Sequence, residues 1–418
     1  MIDIVVIGAG AGGLAAAITA KERNKKVLLI ERESTLGGIL NQCIHNGFGL
    51  EVFKEEYTGP EYAHRYIEKL ISLKIDYLLD TTVTKLEKLS EKFIITMTSE
   101  EEGIKKIEAK SVILTSGCYE RTRGHISMPG DRPKGVFNAG SAQRYLNING
   151  YMVGKKVFIL GSGDIGLIMA RRMTLEGAEV LGVAEIMSYS NGLNRNIVQC
   201  LIDFDIPLFL SHTVTNVIAD ENNNLKEIII QEVDNNFNPM INTEKHFFVD
   251  TLLLSIGLIP DITLLDELNV KVDPKTKSVE VNQAYETSVR GLFVSGNSLQ
   301  VHDLVDNVTK ESERAGLCAV EYLNKENNEA EEIRILAGSN IGYVTPQRLD
   351  FSWNSSLIIS FRTNKKMEKA ICKVIQDDKV VYKKRLMFLV PAEMETISFD
   401  YQILNRTSDI KVVLEELS

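Results

Sequence analysis

The chain has 418 residues, 44% hydrophobic and 25% charged, with 29 glycines and only 9 prolines. That composition excludes a disordered, collagen-like or disulfide-stapled chain, and the length suffices for two or three domains that each bury a core. Forty-seven basic residues against 57 acidic ones leave a net charge of −10 with no basic cluster, which argues against a nucleic-acid partner.

The apolar start, Met1 to Ala20, does not read as a signal peptide. No basic region precedes it, Asp3 interrupts it, and Gly8, Gly10, Gly12 and Gly13 lie inside it. No other stretch approaches the roughly 18 apolar residues of a transmembrane segment, so a soluble, cytoplasmic protein is expected. Ile2 to Ile7 reads as a buried parallel strand, the glycine run as a turn, Leu14 to Arg23 as a helix, and Lys26 to Ile30 as a second strand ending on Glu31. This is a βαβ unit. An amphipathic helix is predicted over Pro60 to Lys74, with strands over Lys92 to Thr98 and Ser111 to Thr115. The unit then recurs 153 residues on. Its parts are a strand at Lys156 to Leu160, a turn at Gly161 to Gly166, a helix at Leu167 to Glu176, and a strand at Glu179 to Ala184 ending on Glu185. A repeat of that size predicts two similar domains.

Asp250 to Ile256 and Gly291 to Ser295 read as short strands, and Val308 to Asn324 as a helix. The polar run KENNEAEE at 325–332 reads as a boundary. Beyond it, apolar residues alternate at Leu357, Ile359 and Phe361, at Ile397, Phe399, Tyr401 and Ile403, and at Ile410, Val412 and Leu414. That period of two predicts a small β-sandwich or barrel from about Ser339. The expected fold class is α/β: two nested Rossmann-like three-layer domains plus a small C-terminal all-β domain. The expected boundaries are 1–120 with 251–330, 121–250, and 339–418.

Each glycine in the turns has a task. Gly8 permits the sharp strand-to-helix turn, Gly10 lets backbone N–H groups approach a pyrophosphate, and Gly13 lets the helix pack close to the strand. The helix N-terminus offers unpaired N–H groups and partial positive charge to phosphates. Glu31, 23 residues past Gly8, can accept hydrogen bonds from both ribose hydroxyls. Gly161, Gly163, Gly166 and Glu185 repeat the pattern. A carboxylate at Glu185 repels a 2′-phosphate, and Ile186 to Tyr189 supply no arginine, which predicts NAD(H) over NADP(H). A second nucleotide fold that has lost its ligand would leave the same pattern.

Two nested units of this kind resemble the flavin-dependent pyridine nucleotide oxidoreductases with the glutathione-reductase-like two-dinucleotide fold. Leu114-Thr115-Ser116-Gly117 stands where that family crosses between domains. Ser255-Ile256-Gly257-Leu258-Ile259-Pro260 resembles its return element. Gly291-Leu292-Phe293-Val294-Ser295-Gly296-Asn297 resembles its second flavin motif, with Asn297 where the family usually has Asp. The resemblance implies FAD held by Gly8, Gly10, Gly12, Gly13, Glu31, Arg32, Gly38, Gly117, Gly296, Asn297 and Asp303. It implies NAD held by Gly161, Gly163, Asp164, Gly166, Glu185 and Gly257. In the family the helix opened by His302, Asp303 and Asp306 aims its N-terminus at the flavin, although both aspartates also suit helix caps. More narrowly, Asn138 to Asn147 (NAGSAQRYLN) is similar to the dinucleotide-binding subunits of sarcosine oxidase, opine and proline dehydrogenase, and cyanide synthase complexes. Gly37 to Gly49 (GGILNQCIHNGFG) is similar to the flavoprotein that bacteria encode beside an FAD-dependent glycerol-3-phosphate dehydrogenase and a small cysteine-rich redox protein. The resemblance therefore implies those two as partners.

The five cysteines, Cys43, Cys118, Cys200, Cys318 and Cys372, are odd in number and widely spaced. No disulfide framework, CxxC, iron–sulfur or other metal site is expected. A disulfide reductase needs two sulfurs against the flavin; only Cys43 lies near the Gly37-Gly38 turn, and the tail has no histidine. Cys43 and His45 read either as a redox or flavin-tuning pair, the candidate catalytic residues, or as a small buried side chain beside a hydrogen-bonded histidine. The leading expectation is an FAD/NAD(H) electron-transfer subunit, with homo-oligomerisation possible. A free-standing NADH oxidase or NADH:acceptor reductase and a flavin-containing scaffold with an inactive NAD site are the alternatives.

Overall fold

The computed structural model describes residues 1–325 and 331–417, so most of the acidic run at 325–332 lies outside the described residues. The chain divides into two compact units. The first comprises Met1–Asn41, Asn46–Cys118 and Pro260–Ser418, and the second Gln42–His45 and Tyr119–Ile259.

The first unit is built on a seven-stranded sheet. The strand Ile2–Ile7 lies in its middle, and its buried part, Ile4 to Ile7, is wholly apolar because a strand covered on both faces excludes polar side chains. It runs parallel to Val27–Ile30 on one side and to the end of Gly103–Leu114 on the other. Alternation then sorts the side chains into two layers. Ile4 and Val6 face the helices Ala11–Glu22, Gly59–Ser72 and Val305–Tyr322, while Val5 and Ile7 face the antiparallel strands Thr81–Leu89 and Lys92–Ser99 and the segment around Leu265 and Val281. The strand Gly103–Leu114 serves both parts: residues 103–109 pair antiparallel with Lys92–Ser99, and residues 109–114 pair parallel with Ile2–Ile7. Leu292–Val294 adds a further parallel strand beside it.

The second unit repeats this plan. Five parallel strands run in the order Val136–Asn138, Thr251–Leu254, Lys156–Leu160, Glu179–Glu185, Leu208–Leu210. One face carries the helices Ala139–Asn147, Asp164–Leu175 and Asn194–Cys200; the other carries the antiparallel strands His212–Ala219, Leu225–Glu232 and Lys245–Phe247. Both units are three-layer and Rossmann-like. One expected boundary moves. Thr251–Leu254 does not return to the first sheet at 251, since it hydrogen-bonds between two strands of the second one, and the second unit runs on to Ile259.

The tail is a β-sandwich that starts earlier than residue 339. Glu332–Ala337 pairs parallel with Ile410–Glu416, so it is a tail strand rather than a linker. The larger sheet orders as Arg348–Asp350, Glu332–Ala337, Ile410–Glu416, Met367–Gln376, Lys379–Leu389; the smaller as Ile341–Thr345, Ile358–Thr363, Glu395–Ser398. The alternation from Ile397 to Ile403 is strand only to Ser398, and Tyr401–Ile403 forms a 3-10 turn. The sandwich belongs to the first unit and is fastened to the rest of it. The Val281 carbonyl accepts the N–H groups of Gln347 and Arg348 and its N–H donates to Gln347 Oε1, the Gln283 side chain donates to the Asp350 carbonyl and accepts its N–H, and Arg334 forks onto Glu280 at 2.8 and 2.9 Å. No helix among the described residues is long and apolar enough to cross a membrane.

Ile410 is fully buried in the strand between Glu332–Ala337 and Met367–Gln376. Ile410→Ala is expected to cost about 2–5 kcal/mol, read as a lower midpoint in thermal denaturation; an unchanged midpoint would contradict this role for the strand.

Candidate dinucleotide-binding sites

In the first cradle Gly8 holds φ +98°, and a Cβ there would lie 2.5 Å from the Thr115 carbonyl oxygen. A Cβ on Gly13 would lie 1.7 Å from the Gly8 oxygen, so the helix starts at the closest approach backbone allows. Thr115 closes the turn by donating its hydroxyl to the Ile7 or Gly8 carbonyl, both at 2.9 Å. Glu31 is buried, and its carboxylate accepts the N–H of Ala9 at 2.6 Å and of Glu33 at 2.9 Å. In front of Gly10, by contrast, a Cβ would meet nothing within 4 Å.

The second cradle has the same parts. Gly161 holds φ +100°, and its Cβ would lie 2.0 Å from the Ser255 oxygen; a Cβ on Gly166 would lie 2.5 Å from the Gly161 oxygen. Ser255 accepts the Gly166 N–H at 3.1 Å. The buried Glu185 accepts the Ser162 N–H at 2.9 Å and the Met187 N–H at 3.0 Å, and also the Ser162 hydroxyl at 2.8 Å. A Cβ on Gly163 would meet only Ser255 Oγ, at 3.6 Å. Each cradle is therefore rigid around its edge and open at the glycine that opens the helix. That is the shape a pyrophosphate needs to reach backbone N–H groups at a helix N-terminus, and the residues present fit FAD in one cradle and a pyridine nucleotide in the other.

The remaining candidates take up distinct places. Gly12 packs the helix, since its Cβ would lie 2.8 Å from Ser312 Oγ. Gly38 lies against the backbone of Gly10, with a Cβ 3.0 Å from its Cα. Gly117 at φ +80° and Gly257 at φ +102° end the two crossover segments in nearly open space. Arg32 is exposed. Gly296 gives its N–H to Glu311 at 2.7 Å, and Asn297 uses Oδ1 to accept the His302 N–H at 3.0 Å. Asp164 accepts Leu193 N–H at 2.8 Å and Asn196 Nδ2 at 2.6 Å, so it holds the 190–196 loop over the second turn.

Two expectations change. Asp303 is neither a cap nor a free carboxylate. The tail takes both its oxygens, through the Arg362 guanidinium and the Met394 N–H at 2.7 Å, and the residue before the helix is Leu304. Asp306 is buried and accepts N–H groups of Gly49 and Val52 at 3.2 and 3.1 Å. Cys43 and His45 group with the second unit, in the segment Gln42–His45. There Gln42 Nε2 donates to Gln143 Oε1 at 3.0 Å and to the Gly140 carbonyl at 3.2 Å, and Asn147 Nδ2 donates to the Gln42 carbonyl at 2.8 Å. Cys43 is partly exposed, yet its surroundings push the thiol up to about 12, and it is a free cysteine like the other four.

Sequence reasoning passed over three contributors. Thr115 and Ser255 follow the last apolar residue of equivalent strands, in Leu-Thr-Ser-Gly and Leu-Ser-Ile-Gly; comparing the two segments would have found them. Glu120 caps the helix Ala139–Asn147 by accepting the Gly140 N–H at 2.8 Å, and burial raises its carboxyl above the usual range despite that bond. Its partner lies 20 residues away, so no local pattern marks it.

Gly10→Ala should cost the unliganded protein no more than about 1 kcal/mol, the loss of N-cap preference, because its Cβ meets nothing within 4 Å, yet sharply lower its FAD content by absorbance. Wild-type flavin content in that variant would remove the pyrophosphate from this cradle. At pH 7.5 Cys43 should alkylate with iodoacetamide far more slowly than free cysteine, its rate climbing about tenfold per pH unit towards pH 11 as the thiolate forms; peptide mass spectrometry after timed labelling reads this, and a rate equal to free cysteine at pH 7.5 would contradict the raised thiol.

The sequence profile of the family described as pyridine nucleotide-disulphide oxidoreductase matches residues 2–312. Sarcosine oxidase subunit alpha of Corynebacterium sp. (strain U-96) is 24% identical over 315 residues, which cover 71% of this chain but 31% of that one. Ferredoxin–NADP reductase of Lactococcus lactis subsp. lactis (strain IL1403) is 24% identical over 303 residues, covering 71% of this chain and 86% of that one. The fold is also that of a Lactococcus lactis thioredoxin reductase crystal structure, at a TM-score of 0.64 and 17% identity, over 78% of this chain and 99% of that one. With both cradles inside the matched span, the chain belongs to the pyridine nucleotide-disulphide oxidoreductase family and is an FAD-dependent oxidoreductase.

Proposed function

We propose that this chain passes electrons between NAD(H) and a partner subunit through bound FAD, in a complex of the glycerol-3-phosphate dehydrogenase type. The observation that carries the reading is the duplication: two cradles with the same positive-φ glycine, the same closing hydroxyl residue and the same strand-end glutamate, each open at its helix-opening glycine. FAD supplies a two-electron acceptor for hydride from the nicotinamide. The chain's part is placement. The first-turn N–H groups receive the pyrophosphates. Glu31 and Glu185, each pinned by two backbone donors, keep further lone pairs for ribose hydroxyls. A 2′-phosphate beside Glu185 would meet a buried carboxylate, which favours NAD(H).

The lone, protonated Cys43 supports exit of electrons to a partner rather than dithiol exchange, which needs a thiolate and a second sulfur. Among the described residues no group of three or more His, Cys, Asp or Glu side chains could hold a metal ion. The sarcosine oxidase relative is by name a subunit, and the chain spans 31% of it. The glycerol-3-phosphate partner and a small cysteine-rich protein rest on the resemblance of segments 37–49 and 138–147. A free-standing NADH:acceptor reductase is the second reading, favoured by the 86% of ferredoxin–NADP reductase that the chain covers.

Anaerobic titration of the purified flavoprotein tests the core of this reading. NADH should bleach the flavin band stoichiometrically, with kcat/KM for NADH exceeding that for NADPH by at least about tenfold, or about 1.4 kcal/mol; Glu185→Ala should shrink that ratio. No bleaching by either nucleotide sinks the reading, and parity between them sinks the NAD(H) preference. Co-purification with a flavin-dependent dehydrogenase supports the subunit role, while full NADH:acceptor turnover by the isolated chain supports the second reading.

A further inference from the structure

The loop after the second flavin motif holds a buried pair that the reading above leaves without a task. His302 and Glu311 expose 4% and 7% of their side chains, and His302 Nε2 lies 3.2 Å from Glu311 Oε1 without the alignment of a hydrogen bond. Both ring nitrogens of His302 and Oε1 of Gln300 are buried with no hydrogen-bond partner. Buried polar atoms are normally paired, and an imidazole with both nitrogens orphaned is a costly arrangement unless something completes it.

Glu311 is held in place rather than mobile. Its carboxylate accepts the N–H of Gly296 at 2.7 Å and Gln300 Nε2 at 2.8 Å, both neutral donors. The backbone of His302 is anchored, since its N–H donates to Asn297 Oδ1 at 3.0 Å. From the tail, Arg362 pairs with Asp303 and donates to the Val301 carbonyl at 3.0 Å, gripping the loop on both sides of His302. Among the described residues, Tyr343 of the tail and Tyr285, which also faces Arg314 and Cys318, interact electrostatically with Glu311, and burial raises both phenols. The loop leaves the carboxyl end of the strand Leu292–Val294, where parallel α/β sheets bind their ligands.

We propose that His302, backed by Glu311, is a positioning residue that takes up the proton linked to flavin reduction. The inference rests on FAD occupying the first cradle. Were NADH to reduce bound FAD by hydride transfer, two electrons and one proton would pass to the flavin, which would gain one negative charge, while the nicotinamide would depart as NAD⁺. His302, 3.2 Å from Glu311, binds one proton from solvent, and its imidazolium offsets that charge. The orphaned nitrogens are the donors that complete the arrangement.

The test is the midpoint potential of bound FAD against pH, by spectroelectrochemistry on the full flavoprotein. With two electrons, each accompanying proton shifts the equilibrium tenfold per pH unit, about 30 mV. The wild type should show the slope of two protons across neutral pH. His302→Gln and Glu311→Gln should each show the slope of one, and Glu311→Gln keeps an acceptor for Gly296 should the first variant bind FAD poorly. Should both variants lose FAD, proton uptake by the wild type decides: anaerobic NADH reduction in weak buffer should take up one proton per flavin while the reduced flavin keeps the absorption of its anionic form. Identical slopes in wild type and variants overturn the proposal, as does a neutral reduced flavin in the wild type. A protein that holds no FAD at all fails the earlier reading instead.

Discussion

A carboxylate that accepts the amide just past the first glycine sets the geometry of both halves of this molecule. Glu31 does this to Ala9 and Glu185 to Ser162, each from the end of the second strand of its βαβ unit. The bond fixes the chain as it leaves the first strand, and the rest is steric. The first glycine must turn at φ near +100°, the last must touch its carbonyl, and a hydroxyl residue from the crossover strand fills the remaining gap. Only the helix-opening glycine is left uncrowded. The same carboxylate that fixes the turn is thus the one placed to accept the ribose hydroxyls.

The parts of the fold that were legible in the sequence are those set by local steric rules. The strands Ile2–Ile7 and Lys156–Leu160, the glycine turns and the strand-end glutamates all follow from apolar runs and obligate glycines. What escaped was set by partners far away. Residues 103–110 read as no strand because five of the first six are exposed, yet they extend the central crossover strand by pairing with Lys92–Ser99. The hairpin Met367–Gln376 with Lys379–Leu389 hid behind its lysines, which sit on an exposed face. Asp303 looked like a helix residue, and its real partner, Arg362, lies 59 residues on.

The tail is no appendage hung on a linker. It meets the rest of the first unit through the Val281 carbonyl, through the Gln283 side chain on the Asp350 backbone, through the Phe293–Trp353 edge contact at 6.2 Å, and through Arg362 and Met394 on Asp303. A sandwich so fastened steadies the loop that carries His302 and the start of the helix Val305–Tyr322. Strain or support applied to the β-domain therefore has a direct mechanical route to the carboxyl end of the central sheet.

The strand Ile410–Glu416 lies in the middle of its sheet, flanked by Glu332–Ala337 and Met367–Gln376. During synthesis those two neighbours leave the ribosome with an empty lane between them, exposing strand edges that invite mispairing. The nested nucleotide domains meanwhile have all their strands. Vectorial folding would then complete the cradles before the sandwich can close around its last strand.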